Sequence, residues 1–343
     1  MPGSDIRLMN KQITLAHGSG GRLTGDLVRE VFAKRFGMKE PLTDSAVMAW
    51  HGSTLAFTTD SYVVDPVFFP GGNIGNLAVC GTVNDLAVAG AIPANLSASF
   101  ILEESFPLDE LEEIAGSMAD EAAGAGVRIV TGDTKVVEKG KCDRIFITTS
   151  GIGKIRPGAE LVAGGSTVGT GDVLLVNGPL GNHAIAVLAA RKSFDIETPV
   201  LSDVASLNHL TGKLLEQCRG IHFMRDITRG GLAAVLNELC VITGMGAEID
   251  EMKVPVDEPV KGLCEILGFD PLYLANEGKL LIVCESSEAS KALGILRSDP
   301  LGRDASVIGR ILSGERKSVV LNTIAGGRRI IDYRSGLQLP RIC

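Results

Sequence analysis

The sequence Ile74-Gly75-Asn76-Leu77-Ala78-Val79-Cys80-Gly81-Thr82-Val83-Asn84-Asp85-Leu86-Ala87-Val88-Ala89 predicts a mostly apolar helix that carries two polar side chains, Asn84 and Asp85. Burying such groups costs free energy unless a partner is present. A cation is the simplest partner for this pair. The alternative is an exposed polar turn, which the apolar residues Val83 and Leu86 on either side disfavour. We therefore expect this helix to bring a carboxylate into a ligand site.

Two further carboxylates accompany predicted strands in the same half of the chain. Asp60 ends one apolar strand, and the run Gly132-Asp133-Thr134-Lys135 follows another. In α/β sheets, ligands gather at the carboxyl ends of strands. Carboxylate oxygens suit Mg²⁺, which takes its other ligands from water and phosphate, and Lys135 can neutralise phosphate charge. The three carboxylates Asp60, Asp85 and Asp133 therefore predict a site for a nucleoside triphosphate with magnesium.

Paired glycines open a predicted helix in the second half of the chain, at Gly230 and Gly231. Such a pair leaves free amides at the positive end of the helix dipole, which is a natural anion site. Asp226 and Arg229 lie just before it, and we expect them to contact a ligand. The alternative is a helix cap and a solvated base. Glu277, which precedes another predicted strand, is open to the same two interpretations.

Residues 11–25 form a glycine-rich run near the N-terminus. It lacks the Gly-Lys-Ser/Thr spacing of a phosphate-binding P-loop. One interpretation is a flexible lid over a ligand, with His17 at its hinge. The other is a loop that leads into a helix near Thr24. The sequence leaves both open.

Length and charge limit the function classes. The chain has 343 residues, which suggests about two domains. A net charge of −8 and an aromatic content of 4% disfavour a nucleic-acid binder. No apolar run approaches the roughly 20 residues of a membrane-spanning helix, and the N-terminus has no secretory pattern. We therefore expect a cytoplasmic protein with neither a nucleic acid nor a membrane as its partner.

The cysteines single out the last residue of the chain. None of the seven cysteines is at Cys-x-x-Cys spacing, so no zinc or redox motif is indicated, and an odd number fits a reducing cytosol. Most lie in apolar runs and are expected in the core. Cys343 has no apolar segment around it, and we expect it to end a mobile tail. Residues 332–343 could span roughly 40 Å when extended, enough to carry the thiol into a site on the same molecule or a partner. The alternative is a frayed terminus.

Seven segments, in chain order, resemble the HypE family of hydrogenase maturation factors. They are Thr59-Asp60-Ser61-Tyr62-Val63-Val64-Asp65-Pro66, Phe69-Pro70-Gly71-Gly72-Asn73-Ile74-Gly75, Val79-Cys80-Gly81-Thr82-Val83-Asn84-Asp85-Leu86-Ala87, Gly132-Asp133-Thr134-Lys135-Val136-Val137, Asp226-Ile227-Thr228-Arg229-Gly230-Gly231-Leu232, Ala275-Asn276-Glu277-Gly278-Lys279 and Pro340-Arg341-Ile342-Cys343. The terminal segment is the most specific. The related ATP-using enzymes, aminoimidazole ribotide synthetase, selenophosphate synthetase and thiamine monophosphate kinase, lack it. One departure is Asn73, where the family leads us to expect an acidic residue.

The resemblance implies a two-domain α/β (α+β) fold like that of aminoimidazole ribotide synthetase, in which the N-terminal sheets of two subunits form a barrel-like dimer interface. It implies four parts along the chain. These are an N-terminal segment with a glycine-rich lid (1–40), a domain for ATP, magnesium and dimerisation (41–155), a C-terminal α/β domain (165–331) and a flexible tail that ends in the reactive cysteine (332–343).

The resemblance also implies the ligands. ATP is expected to bind through Mg²⁺ held by the carboxylates Asp60, Asp85 and Asp133. The full set of residues predicted to contact the nucleotide is Asp60, Gly72, Asn84, Asp85, Gly132, Asp133, Thr134, Lys135, Gly230 and Gly231.

The implied reaction starts at the tail. A carbamoyltransferase, HypF, places a carbamoyl group on Cys343, and the chain then uses ATP to dehydrate it to a thiocyanate. The cyano group passes to a HypC–HypD complex and becomes an iron ligand of [NiFe] hydrogenase. Phosphorylating the amide oxygen turns a poor leaving group into phosphate, and loss of an N–H proton closes the C≡N bond. Glu277, Asp226 and His17 are candidate bases or positioning groups, and Lys135 is expected to neutralise charge.

Two other functions stay open from the sequence. One is a small-molecule synthetase or kinase of the same superfamily, such as selenophosphate synthetase, which typically has a reactive cysteine near its N-terminus. The first cysteine here is Cys80, which disfavours it. The other is a scaffold without catalysis that docks its partners through the tail.

Overall fold

The computed structural model describes residues 12–38, 41–191, 196–314, 317–333, 339 and 341–343. Pro340 and residues 334–338 of the predicted tail, with residues 1–11 and 39–40 of the predicted N-terminal segment, lie outside this part of the chain. Among the described residues, every helix is too short or too polar to cross a lipid bilayer.

The first half of the chain builds a mixed sheet. After a 3₁₀ turn at Leu15–Gly18, a helical stretch comprises α1 (Arg22–Leu27), a π-helical turn (Val28–Ala33) and α2 (Lys34–Phe36). The strands that follow are β1 (Ala46–Trp50), β2 (Ser53–Tyr62), the short pair β3 (Phe68–Phe69) and β4 (Gly72–Asn73), β5 (Ala91–Glu103), β6 (Arg128–Val137) and β7 (Ile145–Ile155). Their order in the sheet is β1-β2-β7-β5-β6, and within the described part of this sheet only β5 and β6 pair in parallel.

Two helices cover one face of this sheet, α3 (Ile74–Val88) and α4 (Leu108–Ala125). The predicted helix at 74–89 is therefore confirmed, and nearly all of α3 is buried, as its composition requires. Asn73, the departure from the family pattern, caps α3. Its side-chain oxygen accepts hydrogen bonds from the amides of Gly75 and Asn76, and its amide nitrogen donates to Ser117.

The second half of the chain builds a larger sheet with helices packed against it. Its strands are β8 (Val173–Val176), β9 (Ile221–Asp226), β10 (Gly246–Asp250), β11 (Leu280–Cys284), β12 (Ser306–Leu312), β13 (Val319–Asn322) and β14 (Arg328–Ile331). Their order is β14-β13-β10-β12-β8-β11-β9. The helices are α5 (Asn182–Ala189), α6 (Asn208–Gln217), α7 (Gly231–Thr243), α8 (Glu258–Leu267) and α9 (Ala289–Arg297).

The face of the first sheet opposite α3 is open and carries exposed apolar side chains among polar ones. Phe57 on β2 is 44% exposed, and Ile152, its partner on β7, is 38% exposed. Ile92 and Ile101 of β5 are also exposed. Half-buried sheets normally place polar residues on the solvent side, so these exposed apolar side chains mark a contact surface. We call this surface the outer face.

Helix α3 lies unusually close to β2 because Gly81 has no side chain. A Cβ atom at Gly81 would stand 2.2 Å from the hydroxyl oxygen of Tyr62, which is fully buried. A glycine in a helix interior is otherwise unfavourable, so its presence here is explained by this contact.

Gly81→Ala should therefore destabilise the fold by about 1–3 kcal/mol, because the added methyl group overpacks this contact. Gly116→Ala in α4, where nothing lies within 4 Å of an added Cβ, is the matched control. It should stabilise the protein by about 0.5–1 kcal/mol through helix propensity alone. Urea unfolding of both variants measures the difference, and the same sign for both would contradict the proposed contact.

Candidate active site

Three carboxylates converge where the two sheets meet. Asp44 precedes β1, Asp85 lies in α3, and Asp226 ends β9. Each offers an oxygen atom, and the three oxygens lie within 4.8 Å of one another. All three residues line a cavity of about 880 Å³, together with Asp60 and Glu277. The cavity is large enough for a nucleotide-sized ligand.

Burial makes this cluster of like charges unfavourable on its own. Loss of hydration, followed by repulsion from neighbouring carboxylates, raises the pKa of Asp85 well above its usual value and that of Asp226 to about 8. Burial also raises the pKa of Asp44. Thr58 donates a hydrogen bond to Asp85 at 2.7 Å, which satisfies one carboxylate oxygen. The oxygen-only donor set and its excess of negative charge fit a hard divalent cation.

A buried arginine balances part of this charge. The Arg225 guanidinium contacts Asp44 and Glu238, both at 2.8 Å, and Tyr333 donates a hydrogen bond to Glu238 at 2.7 Å. Arg225 is a single cation beside four carboxyl groups. These are Asp44, Asp85, Asp226 and Glu238, so one positive charge does not balance the site. Arg225 therefore orients Asp44 without replacing a metal ion.

The terminal thiol lies in the wall of the cavity. Cys343 is only 9% exposed, and it lines both the large cavity and an adjoining one of about 270 Å³, as does Arg229. The expectation that nothing would bury Cys343 is wrong for the described residues. Other parts of the chain bury it. Ile342, which is 4% exposed, and Cys343 both belong to the core cluster that those parts form.

The thiol is held in its protonated form. Burial raises the pKa of Cys343 to about 12, opposed by the charge of Arg229 and reinforced by Glu277 and Asp60. These groups surround the sulfur on the cavity side. A thiol with such a pKa is a poor nucleophile at neutral pH. The geometry therefore suits a sulfur that carries a group into the cavity and does not itself attack.

Glu277 has a free oxygen atom close to this sulfur. The residue is 3% exposed, and its Oε1 has no hydrogen-bond partner among the described residues. Burial, with repulsion from Asp226 and Asp203, raises its pKa well above the usual value. Its backbone is fixed, because Asp203 accepts hydrogen bonds from the amides of Glu277 and Gly278 at 3.2 and 3.3 Å. A buried, unpaired carboxyl group of raised pKa is a candidate for proton transfer.

The glycine-rich run lies over the site. Gly18, Ser19 and Gly21 line the smaller cavity, and Arg229 donates to the carbonyl of Gly18 at 3.4 Å. His17 is buried, and its Nδ1 accepts a hydrogen bond from the amide of Thr14 at 3.1 Å, so its ring caps the turn that starts the run.

The predicted metal ligand Asp133 is not brought to this cluster within one chain. Asp60, Thr149, Ala98 and Gly132 form one row across four strands, which separates Asp60 from Gly132 by about 14 Å at the usual strand spacing. Asp133 follows Gly132 and so points to the opposite face, the outer face. It is exposed there, and Lys135 pairs with it at 2.6 Å.

The reason is that the run Gly132-Asp133-Thr134-Lys135 does not follow a strand. The prediction of a strand end is wrong, because β6 continues to Val137 along β5. Likewise β2 continues past Asp60 to Tyr62. Thr134 and Lys135 therefore lie outside the cavity of the single chain with Asp133.

The other predicted nucleotide contacts have structural partners. The side-chain nitrogen of Asn84 donates hydrogen bonds to the carbonyls of Ala205 and Glu277, and its side-chain oxygen accepts one from the backbone amide of Leu207. These bonds tie α3 to the segment that holds Glu277. Gly72 lies in β4, where an added Cβ would stand 2.8 Å from Asn76.

The predicted glycine pair divides between cavity and core. Gly230 lines the smaller cavity, and both Gly230 and Gly231 have positive φ angles at the start of α7. An added Cβ at Gly231 would stand 2.5 Å from the carbonyl oxygen of Leu272. Gly231 therefore allows close packing, and Gly230 is the one that faces a ligand space.

The sequence did not identify Asp44 or Arg225 as residues of the site. Asp44 stands before an apolar strand, at the opposite end from the one where ligands are expected. Arg225 was a usable signal, because a charged residue within the apolar strand β9 needs a buried partner.

The whole chain is similar to proteins of known structure and name. Its residues 42–155 match the family model of the N-terminal domain of AIR synthase related proteins, and residues 169–322 match the model of the C-terminal domain. The carbamoyl dehydratase HypE of Rhodobacter capsulatus is 52% identical over 343 residues, covering 98% of this chain and 100% of that protein. The chain belongs to the HypE family. The Escherichia coli K12 member is 46% identical, covering 96% of this chain and 99% of its own.

Solved structures of the HypE family have the same fold. A HypE–HypF complex matches with a TM-score of 0.84 at 48% identity, covering 90% of this chain and 99% of that one. HypE in complex with ATP matches with a TM-score of 0.81 at 44% identity, covering 97% and 100%. Thiamine monophosphate kinase from Aquifex aeolicus, at 19% identity and a TM-score of 0.66 over 90% of this chain and 99% of its own, shares the fold alone. The predicted family, the mixed α/β two-domain fold and the carbamoyl dehydratase class are confirmed.

The pKa of Asp226 predicts how cation binding depends on pH. Without a cation, Asp226 keeps its proton up to about pH 8, so a divalent cation must displace that proton at lower pH. Affinity for Mg²⁺ should therefore rise at least tenfold per pH unit below about pH 8, because Asp85, whose pKa is also raised, must lose its proton as well. Asp226→Asn should bind Mg²⁺ weakly and keep only the shallower pH dependence that comes from Asp85. Calorimetric titration at several pH values measures it, with the exposed-helix variant Asp120→Asn as control. Affinity independent of pH in the unmodified protein would contradict the cluster as the site.

Proposed function

We propose that the chain uses ATP to dehydrate an S-carbamoyl group on its own Cys343 to a thiocyanate, the source of the cyano ligand in [NiFe] hydrogenase maturation. The observation that carries the proposal is the burial of the terminal thiol in the wall of the carboxylate-lined cavity. It is supported by relatives named carbamoyl dehydratase and by a relative crystallised with ATP.

In the proposed reaction the carbonyl oxygen of the thiocarbamate attacks the γ-phosphorus of ATP, and ADP leaves. The nitrogen then loses both of its protons, one to Glu277 and one to the departing phosphate. The C–O bond breaks, and phosphate leaves with the former carbonyl oxygen. The S–C bond is kept, so the product is a thiocyanate on Cys343, with ADP and phosphate. Phosphate is a far better leaving group than hydroxide, which is why the amide can be dehydrated at neutral pH.

Each part of the cavity has a proposed task. Glu277 takes the proton from the carbamoyl nitrogen at its free Oε1, and Arg229, which faces the sulfur, stabilises negative charge on the oxygen. Asp44, Asp85 and Asp226 hold Mg²⁺, which when bound neutralises the triphosphate. Asp60 lies 3.8 Å from Arg229 and orients it. The amide end of α7 at Gly230 offers an anion contact. Asn84 supports the site from behind, and His17 positions the glycine-rich lid.

A second copy of the chain is proposed to complete the site. The outer face is uncovered and carries exposed apolar side chains, so the homodimer is proposed to form there, with the sheets of two copies facing each other in a barrel-like arrangement. Asp133 and Lys135 also lie on this face, which points away from the cavity of their own chain. A contribution of Asp133 and Lys135 to nucleotide binding is therefore assigned to the cavity of the partner copy. The nucleotide contacts of Gly72, Gly132 and Thr134 stay predictions.

The remaining assignments follow from the same reaction. HypF is proposed as the donor of the carbamoyl group, supported by the relative crystallised as a HypE–HypF complex, and a HypC–HypD complex as the acceptor of the cyano group. The reaction is proposed to take place in the cytoplasm. We divide the chain at 41–155 for the ATP, magnesium and dimer domain, 165–331 for the C-terminal domain and 332–343 for a tail that moves between partners. Residues 1–40 are assigned as the lid segment.

Cys343→Ala should abolish the product and leave ATP binding unchanged, because the sulfur carries the substrate and does not bind the nucleotide. Incubation with HypF, carbamoyl phosphate and ATP should add about 43 Da to the unmodified protein and then remove about 18 Da as the nitrile forms. Intact-mass spectrometry follows both steps. Cys142→Ala is the matched control and should behave like the unmodified protein. A nitrile mass on Cys343→Ala would refute the assignment.

The dimer can be tested with two inactive variants. Asp133→Ala lacks the group supplied to the partner, and Cys343→Ala lacks its own substrate. Mixed after subunit exchange, half of the dimers are mixed and each has one complete site, so about a quarter of the normal nitrile yield should return. Without exchange, neither variant is active. No recovery after verified exchange would place Asp133 in its own chain's site or in none.

A charge on the outer face provides the control for that experiment. Phe57→Glu should give monomers by light scattering and prevent recovery, since burying a carboxylate in an apolar interface is costly. Ile266→Glu, at an apolar residue of α8 that is 80% exposed and lies away from the outer face, should leave the dimer intact.

A further inference from the structure

The last residues of the chain run beside the segment that follows β2. The amide of Val63 donates a hydrogen bond to the carbonyl of Cys343 at 3.1 Å, and the amide of Asp65 donates to the carbonyl of Arg341 at 3.2 Å. The residue numbers rise along one segment as they fall along the other, so the two run antiparallel. The end of the tail thus lies against the body through two antiparallel backbone hydrogen bonds.

Two side chains from the other half of the chain complete the contact. His183, in the first turn of α5, bonds the carbonyl of Ile342 through Nε2 at 2.8 Å. Arg191, just after α5, donates from Nη2 to the carbonyl of Arg341 and from Nε to the carbonyl of Asp65, both at 2.9 Å. The last three carbonyls of the chain therefore each have a donor from the folded body.

The two side chains are themselves held in place. Nδ1 of His183 lies 2.8 Å from the hydroxyl oxygen of Ser202, and the edge of Phe69 packs against its ring. His183 is fully buried. Because the donors are fixed before the tail arrives, they define one position along the tail for each carbonyl.

We propose that this groove is a receptor for the C-terminal tripeptide of the chain, in which Arg191 and His183 are positioning residues that set the depth of the Cys343 sulfur in the cavity. The inference rests on the proposed function, because the depth of the sulfur matters only if the reaction takes place on a group that the sulfur carries. The groove binds backbone carbonyls and the buried side chain of Ile342, and it makes no demand on the sulfur. The same register therefore serves the free, the carbamoylated and the cyanated tail.

The groove is also built to release the tail. Arg341 has a φ angle of 52°, in the left-handed region that residues other than glycine rarely adopt. Its guanidinium holds it there through a hydrogen bond to the carbonyl of Val63 and an ion pair with Asp143. Undocking relieves this backbone strain, which offsets part of the lost hydrogen bonding. The tail can then reach a carbamoyl donor outside the body.

Alkylation of Cys343 tests the groove without any catalysis. In Arg191→Ala, iodoacetamide should label Cys343 about tenfold faster or more than in the unmodified protein, the effect expected for loss of a charge-assisted hydrogen bond. Peptide mass mapping identifies the labelled cysteine, and thermal melting checks that the variant is folded. Arg219→Ala, at an exposed arginine, should label at the normal rate. Arg191→Lys keeps the charge but not the forked geometry, so it should fall between them and serves if Arg191→Ala does not fold.

The two steps of the reaction should then separate. With HypF and carbamoyl phosphate, Arg191→Ala should gain the carbamoyl mass at least as fast as the unmodified protein, because its tail is undocked more often. Conversion to the nitrile should slow about tenfold or more for the same reason. Equal alkylation rates in all variants would overturn the groove whatever the activity. A Cys343 that is protected by Arg191 but never forms a nitrile would instead leave the groove in place and remove the proposed function.

Discussion

Mutual repulsion among three closely spaced carboxylates, one buried and two half-buried, is the constraint around which this structure is organised. Asp44, Asp85 and Asp226 come from a loop, a helix and a strand in different parts of the chain, and nothing local to any of them requires the others. Holding them together takes the packing of both sheets, and Arg225 offsets only part of the charge. Binding of a cation relieves this repulsion. The cost of holding the carboxylates together therefore becomes part of the favourable free energy of cation binding.

The sequence predicted residue types and single elements better than their juxtaposition. Helix α3 and the importance of Asp85, Asp226, Glu277 and Cys343 follow from local composition and from the resemblance. The position of Asp133 does not, because an edge strand and a strand end look alike in a short glycine-containing run. Only the sheet register shows that Asp60 and Asp133 point to opposite faces. Ionic partners such as Asp44 and Arg225 are a property of tertiary packing, which one sequence does not encode locally.

Glu277, the proposed proton-transfer group, is held in place by several contacts. Asp203 holds its backbone amide, Asn84 holds its carbonyl, and Lys279 pairs with Asp203 at 3.2 Å. These contacts tie the first half of the chain to the second exactly where the free oxygen faces the cavity. The polar pair in α3 thus has two separate roles: Asp85 contributes charge to the cluster, and Asn84 fastens the segment that carries Glu277.

The pKa of Cys343, about 12, has a consequence for the life of the protein between turnovers. Oxidants and electrophiles react with the thiolate, and a docked tail offers almost none of it at neutral pH. While the tail is docked, the sulfur is therefore protected from oxidation to sulfenic acid and from forming mixed disulfides. In the proposed cycle the sulfur meets oxidants only while the tail is released to receive its carbamoyl group, so the time spent released determines both the rate of carbamoylation and the rate of oxidative damage.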